Sequence, residues 1–276
     1  MRSLGLAFGL VVLASMALAQ APVVNMGGVV NAGSYSPNGV APGSIVSIFG
    51  TNLAASTAAA STIPLSTTLS DVTSVTFNDI PAPLYFVGSG EVGQVNAQLP
   101  WNVLPDGVDS GAVNVVVTRS TGVSAPQSVT VAPAAPGIFT VTNNGLGQAF
   151  AYDNTTGAVA GPAGTKIGNF KVTPISLSSG HPLIIACTGL GLVTPSIDNG
   201  LAASDGIFRK TLLKPTVLIG GVPAQFIYSG LSPQYVSEYQ IGVIPDPATP
   251  TGNNVSLQIQ INSVLTSDQV TIAVTN

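Results

Sequence analysis

Few side chains of this 276-residue chain could carry out nucleophilic or acid–base chemistry. His181 is the sole histidine, so a triad with a histidine base could be built only on this residue. It lies between a glycine and a proline, a setting typical of a loop histidine with no catalytic role. Cys187, the sole cysteine, ends the apolar run LIIAC at 183–187 and has no basic neighbours in sequence. That setting favours a buried thiol over a reactive one.

The two glutamates of the chain, Glu91 and Glu238, do not predict a glycosidase. Glycoside hydrolysis needs two carboxyl groups about 5 to 10 Å apart. Each glutamate precedes a similar strand in a different predicted domain, so a shared active site is not expected.

Metal ligands are equally scarce, because one histidine and one cysteine cannot form the four-ligand cluster of a structural zinc site. Calcium binding by loop aspartates stays open as an alternative, although no segment matches a D-x-D-x-D-G loop. Aspartates in turns commonly accept hydrogen bonds from their own backbone instead. We therefore predict no catalytic residue, no metal ligand and no cofactor. The loop aspartates are Asp106, Asp109, Asp198 and Asp205.

Aromatic side chains are the remaining candidates for function, since their flat faces can contact sugar rings or a partner protein. The predicted binding residues are Trp101, Tyr35, Tyr228, Tyr235 and Tyr239. For Trp101 a structural alternative is favoured, in which the ring packs where two domains meet.

Strand signals dominate the chain that must position these residues. Segments such as VNVVV at 113–117 and VSLQIQI at 255–261 alternate apolar and polar residues, the pattern of a strand with one face in a core. The 31 glycines and 21 prolines interrupt the chain too often for long helices. Short strands separated by turns predict an all-β protein built from sandwiches.

The strand pattern occurs twice, around residues 73–131 and again around 216–272. Pro81 and Pro223 lie 142 positions apart, as do Val113 and Val255. We predict a signal peptide at 1–19, a first β-sandwich at 20–140, a connecting segment with a β-hairpin at 141–178, and a second β-sandwich at 179–276. The two copies share strand positions but no polar residue suited to chemistry, which favours a scaffold or binding role over catalysis.

The order of motifs resembles a known family. A strand ending in GTNL at 50–53, then VTFNDIPA at 75–82 and a strand ending at Pro100, resembles the IPT/TIG branch of immunoglobulin-like domains. Five segments also resemble the Solibacter-type uncharacterised C-terminal domain family of secreted acidobacterial proteins. These are VNAGSY at 30–35, APGSIV at 41–46, FGTNL at 49–53, QVNAQLPW at 94–101 and APGIF at 135–139. The resemblance implies two tandem IPT/TIG-type sandwiches and an extracellular location, and no established activity.

The first 19 residues predict export. Arg2 precedes an apolar stretch that ends in ALA at 17–19, typical of a cleaved leader, and the stretch is short for a membrane span. The predicted product is secreted or held at the cell surface, with no membrane span after signal removal. Charged residues are 7% of the chain and its net charge is −4, which argues against nucleic acid as a partner.

We predict a non-enzymatic binding or adhesion module for an extracellular polysaccharide or protein. The alternative is a structural role, as a spacer or a self-associating component of an envelope or matrix. The sequence indicates no oligomeric state.

Overall fold

A computed structural model describes residues 20–276. The predicted signal peptide at 1–19 lies outside the described residues. Ten strands come from the first half of the described range: β1 (Val23–Asn31), β2 (Ile45–Thr51), β3 (Ala58–Ala59), β4 (Val72–Phe77), β5 (Ile80–Pro81), β6 (Leu84–Gly88), β7 (Gly93–Gln98), β8 (Gly111–Arg119), β9 (Gly122–Val123) and β10 (Gln127–Val131).

Sixteen strands follow in the second half: β11 (Gly137–Ile138), β12 (Gly147–Gln148), β13 (Ala151–Asp153), β14 (Val159–Ala160), β15 (Val172–Thr173), β16 (Ile175–Ser176), β17 (Leu183–Thr188), β18 (Val193–Thr194), β19 (Lys210–Thr211), β20 (Thr216–Ile219), β21 (Val222–Pro223), β22 (Gln225–Leu231), β23 (Tyr239–Ile244), β24 (Gly252–Ile261), β25 (Val264–Leu265) and β26 (Val270–Thr275). None of the described residues forms a helix long and apolar enough to cross a membrane.

The strands form four sheets, two in each half of the chain. In the first half, one sheet has the order β1-β2-β7-β6-β3, and the other has the order β10-β8-β4-β5 with β9 beside β8. In the second half, a nine-stranded sheet runs β15-β14-β13-β17-β23-β22-β19-β18 with β11 beside β17. It faces a seven-stranded sheet, β12-β26-β24-β20-β21, with β16 beside β26 and β25 beside β24. The predicted all-β class with two sandwiches is confirmed, and we call them the first and second sandwich.

Each sandwich encloses its own apolar core, and the alternation in sequence determines which side chains enter it. In β8, Val113, Val115 and Val117 are buried while Asn114 between them is exposed. In β24, Leu257 and Ile259 are buried in the same way. Burying such aliphatic side chains contributes about 1.5 to 3 kcal/mol each. The core is therefore the main source of stability in a chain without disulfides.

The predicted connecting segment, 141–178, is built into the second sandwich. Its short strands β13 and β14 extend the nine-stranded sheet, and β12 and β16 pair in parallel with β26. Ala151, Ala160 and Ile175 contribute to the second core, which begins as early as Ala134. The structure thus divides the chain between Val131 and Ala134, because the segment buries its apolar side chains against β17 and β26.

Hydrogen bonds join the two sandwiches directly. The Asn31 side chain donates to the carbonyl of Ala135 over 2.7 Å, and the Ile45 amide donates to Thr188 Oγ1 over 2.9 Å. The Gly200 amide donates to Gln98 Oε1 over 2.6 Å. A small apolar cluster of Leu65, Ala202 and Val236 lies alongside these bonds. We call this contact region the junction; it holds the sandwiches in one defined arrangement.

Candidate functional site

The two residues best suited to nucleophilic chemistry lie in structural roles. Cys187 is fully buried in the second core, and burial raises the pKa of its thiol well above the ordinary value. His181 Nδ1 lies 2.8 Å from a carboxylate oxygen of Asp153. Within residues 20–276, no serine, threonine or cysteine side chain hydrogen-bonds to this imidazole, so the arrangement is a pair and not a triad.

The Asp153 carboxylate orders a turn. Its Oδ1 accepts hydrogen bonds from the amides of Thr155 and Thr156, at 2.7 and 3.1 Å. Partial burial opposes ionisation, but the hydrogen bonds from His181 and these residues lower the pKa of Asp153 below its ordinary value. The sequence carried no signal for this contact, because His181 and Asp153 meet only through the pairing of β13 with β17.

The remaining acidic groups are dispersed. No group of three or more histidine, cysteine, aspartate or glutamate side chains comes together in the described part of the chain. Asp205 instead binds Arg209 through both carboxylate oxygens, at 2.6 and 2.7 Å. These hydrogen bonds hold the pKa of Asp205 well below its usual range. The aspartate therefore acts as an anchor for a buried guanidinium.

Two of the predicted binding residues pack against the second core: Tyr239 is fully buried in it, and Trp101 is half-buried beside it. Tyr239 is fully buried in the second core, and its hydroxyl donates to the carbonyl of Gly191 over 2.6 Å. It is therefore out of reach of a bound ligand. Trp101 lies at the junction, where its ring meets that of Tyr239 edge-on at 6.4 Å. Its face covers Gly43, at which an added Cβ would lie 1.9 Å from the ring.

The three other predicted tyrosines lie at the surface, in two places. Tyr35 belongs to the first sandwich and packs against Phe49 at a ring distance of 6.2 Å. Tyr228 and Tyr235 belong to the second sandwich: Tyr228 lies on β22 of its nine-stranded sheet, and Tyr235 lies in the loop between β22 and β23. The structure thus brings Tyr228 and Tyr235 to one region and leaves Tyr35 in another.

That region is the outer surface of the nine-stranded sheet, opposite the core. Alternation along the strands determines which residues it carries: in β23, Tyr239 and Ile241 point into the core, so Gln240 and Gly242 point outward. We call this surface the aromatic face, after six side chains that lie on it or at its rim. They are Phe150, Tyr152, Phe170, Phe208, Tyr228 and Tyr235.

The aromatic rings are held by one another and by the strands beneath them. Phe150 and Phe170 meet edge-on at 5.2 Å, and Phe208 and Tyr228 do so at 5.7 Å. The ring of Tyr228 rests on Gly242, where an added Cβ would lie 2.5 Å from it. Edge-to-face pairs of this kind add about 0.5 to 1.5 kcal/mol beyond their burial. These contacts therefore fix the orientation of the paired rings before any ligand binds.

Gln240 occupies the centre of the aromatic face. Its amide nitrogen donates to the Tyr152 hydroxyl over 3.3 Å, and its amide oxygen lies 3.5 Å from the Tyr228 hydroxyl. A depression lies on each side of it. The larger one, of about 290 Å³, is lined by Phe150, Tyr152, Phe170, Tyr235, Glu238 and Gln240 among others. The smaller one, of about 210 Å³, lies between Gln240 and the Phe208–Tyr228 pair.

Glu238 is the one acidic side chain that lines the larger depression. Burial raises the pKa of its carboxyl, although hydrogen bonds to Ser232 and Gln240 lower it in part. Glu91 lies exposed in the loop between β6 and β7 of the other sandwich. The two glutamates do not share a site, which agrees with the argument against a glycosidase pair.

Four of the six aromatic residues were missed by sequence reasoning, namely Phe150, Tyr152, Phe170 and Phe208. Alternation in β13, with Ala151 buried and Tyr152 half-buried, was a usable signal, but a three-residue strand makes it weak. Phe170 and Phe208 lie outside any strand, so only the tertiary fold places them near Tyr228 and Tyr235.

Residues 32–156 match the family model described as IPT/TIG domain. This match supports an immunoglobulin-like family and covers the larger part of the first sandwich. The predicted immunoglobulin-like sandwich fold is thereby confirmed. Domains of this class are generally non-catalytic.

A search of curated proteins finds no match. Among solved structures, the chain is similar to the C-terminal domain of the AgI/II polypeptide BspA of Streptococcus agalactiae. That alignment has 10% identity and a TM-score of 0.18, and covers 90% of this chain and 98% of the other. An endo-fucoidan hydrolase variant of glycoside hydrolase family 107 aligns at 9% identity with a TM-score of 0.14. That alignment covers 93% of this chain and 44% of the hydrolase. At these TM-scores neither structure carries a functional argument.

Proposed function

We propose that this protein is a secreted or cell-surface, non-enzymatic binding module that attaches to a neutral extracellular polysaccharide through the aromatic face. In this proposal the 19-residue leader directs export, and the chain is a member of the Solibacter-type family that its motifs resemble. The observation that carries the proposal is the placement of six aromatic rings around Gln240 on one sheet surface.

The chemistry of the aromatic face suits a sugar. A sugar ring has apolar C–H surfaces, which pack on flat aromatic rings, and hydroxyl groups at its edge, which exchange hydrogen bonds with amides and phenols. Tyr235 and Phe170 are 54% and 53% exposed, so their rings are available to such contacts. Gln240 and the tyrosine hydroxyls supply both donors and acceptors between the rings.

Polysaccharide is favoured over a protein partner by the composition of this surface. Protein interfaces typically surround an apolar centre with a polar rim, whereas here a polar amide lies at the centre and aromatic rings surround it. Two depressions side by side also match successive units of a polymer. Gln240, Tyr152 and Tyr228 lie on strands of the sheet, which gives the centre of the aromatic face a rigid base.

The test is binding of the purified mature chain to a set of neutral polysaccharides: β-1,4-glucan, β-1,3-glucan, xylan and mannan. We expect Tyr235→Ala to weaken binding about 5- to 30-fold, since an exposed aromatic anchor contributes about 1 to 2 kcal/mol to a binding site. Affinity electrophoresis in gels that contain each polysaccharide measures this directly.

Val123→Ala is the matched control, because Val123 is similarly exposed at 58% but lies on the first sandwich away from the aromatic face. Its affinity should equal that of the unaltered chain. Absence of binding to every polysaccharide, together with concentration-dependent assembly in the ultracentrifuge, would replace this proposal with the structural role. An equal loss in Val123→Ala would show that the aromatic face is not the site.

A further inference from the structure

The first sandwich repeats the strand register that builds the aromatic face. In both sandwiches two antiparallel strands pair with one register shift, and three of the pairs around that shift follow the same order. In β6 and β7 these three pairs are Leu84–Ala97, Phe86–Asn96 and Gly88–Gln94. In β22 and β23 they are Phe226–Val243, Tyr228–Gly242 and Gly230–Gln240.

Two functional positions of the aromatic face therefore have counterparts. Phe86 occupies the position of Tyr228, and Gln94 occupies the position of Gln240. The third strand agrees as well, because Phe49 of β2 pairs with Gln94 as Ala186 of β17 pairs with Gln240. A bulge at the same place re-aims the side chains that follow it, so Phe86 points outward as Tyr228 does.

The counterpart surface forms a cleft of about 580 Å³. Its lining combines aromatic rings with amides and carries no charged side chain. The rings are those of Tyr35, Tyr85, Phe86 and Phe139, and the amides are those of Gln94, Asn96 and Asn143. This is the chemistry of the aromatic face without its one acidic group.

Some hydrogen-bonding groups of the side-chain amides in the cleft have no partner among residues 20–276. Gln94 Nε2 and Ser47 Oγ both donate to Asn96 Oδ1, at 2.7 and 3.0 Å. Within residues 20–276, Gln94 Oε1 and the Asn96 amide nitrogen have no such partner, and both side chains are partly exposed. An acceptor and a donor therefore remain for hydroxyl groups of a ligand.

The cleft and the aromatic face meet at the junction. Phe139 belongs to the second sandwich and lines the cleft; its carbonyl accepts the amide of Phe150, which lines the aromatic face, over 2.7 Å. On the other side, the Tyr85 hydroxyl donates to the carbonyl of Val236, next to Tyr235. The two surfaces thus adjoin through directly bonded residues.

We propose that the cleft of the first sandwich is a second saccharide subsite, and that one neutral polysaccharide chain spans both sandwiches. This rests on the proposed function of the aromatic face. Two linked subsites turn the second binding step into an intramolecular one, which can strengthen binding of a polymer by about 10²-fold without any new contact.

The test compares trisaccharides and soluble polymers of the same four neutral glycans by calorimetry. We expect the unaltered chain to bind two trisaccharides. The double variant that combines Phe86→Ala with Gln94→Ala should bind one. For the polymer, we expect affinity to fall at least tenfold in the double variant. Asn143→Gly is a second, milder variant, because Asn143 is exposed with a positive φ of 51° that glycine accepts readily. It should weaken polymer binding in the same direction while the fold is kept.

The outcomes separate the two proposals. If the unaltered chain binds one trisaccharide, and only Tyr235→Ala reduces binding of the polymer, the second subsite is overturned and the aromatic face stands. If no trisaccharide or polymer binds, the function proposed for the aromatic face fails first. Val123→Ala again serves as the control with unchanged stoichiometry and affinity.

Discussion

Some tyrosines in this protein lie in the core and others face solvent. What distinguishes them is whether the hydroxyl finds a hydrogen-bond partner inside the fold. The buried Tyr239 satisfies its hydroxyl inside the fold, at the carbonyl of Gly191. Tyr235 is more than half exposed and lines the larger depression. Being a tyrosine is therefore not enough to contact a ligand; the position of the residue in the fold decides it.

At this scale we predict that Tyr239→Phe lowers the free energy of unfolding by about 1 to 2 kcal/mol, because the buried carbonyl of Gly191 loses its donor. Saccharide binding should be unchanged. Denaturant titration measures the stability, with Tyr235→Phe as the control that removes an exposed hydroxyl. Equal losses in the two variants would contradict the assignment of Tyr239 to the core.

Glu238 makes stability depend on pH. Burial raises its pKa in the folded chain above the unfolded value, so the folded state binds the proton more tightly. The stabilisation is fully present below the unfolded pKa, near 4.5, and is lost as pH rises through the folded pKa. We expect Glu238→Gln to flatten the melting temperature between pH 4 and pH 7 relative to the unaltered chain. The matched variant at the exposed Glu91, Glu91→Gln, should leave that pH dependence intact.

At the scale of elements, the outer surface of β23 depends on the absence of a side chain at Gly242. An alanine Cβ there would lie 2.5 Å from the Tyr228 ring, so the ring must move away from Gln240. We predict that Gly242→Ala weakens polysaccharide binding several-fold, in the direction of Tyr228→Ala, while the sandwich stays folded. Affinity electrophoresis and circular dichroism measure the two effects. Gln225→Ala, exposed on the neighbouring strand β22, is the control.

Sequence patterns predicted the long strands well because alternation within one strand is a local property. The valines of β8 showed their core face directly, and the all-β class followed. The strand pairing of segment 141–178 is not determined by its local sequence. The two-residue strand β16 pairs in parallel with β26, about 100 residues later, and nothing in so short a strand specifies its partner. The same limit explains why Phe170 and Phe208 were missed as members of the aromatic face.

At the scale of the whole molecule, the junction couples the two sandwiches. Thr188 illustrates this, since its hydroxyl accepts the amide of Ile45 and donates to the carbonyl of Ser237 over 3.0 Å. The bond of Gly200 to Gln98 is another polar link at the same interface. Each of these hydrogen bonds contributes about 0.5 to 1.5 kcal/mol relative to the same groups in water, so separation of the sandwiches is opposed even where each core could remain intact.

We therefore predict one calorimetric unfolding transition for the unaltered chain, with equal calorimetric and van't Hoff enthalpies. Thr188→Val combined with Gln98→Ala should split it into two, because both substitutions remove junction bonds and leave most of each core in place. If one polysaccharide spans both sandwiches, this double variant should also bind the polymer more weakly while trisaccharide affinity stays constant, since a loosened junction lowers the effective concentration of the second subsite. Equal loss for polymer and trisaccharide would instead mean that the variant damages the subsites themselves.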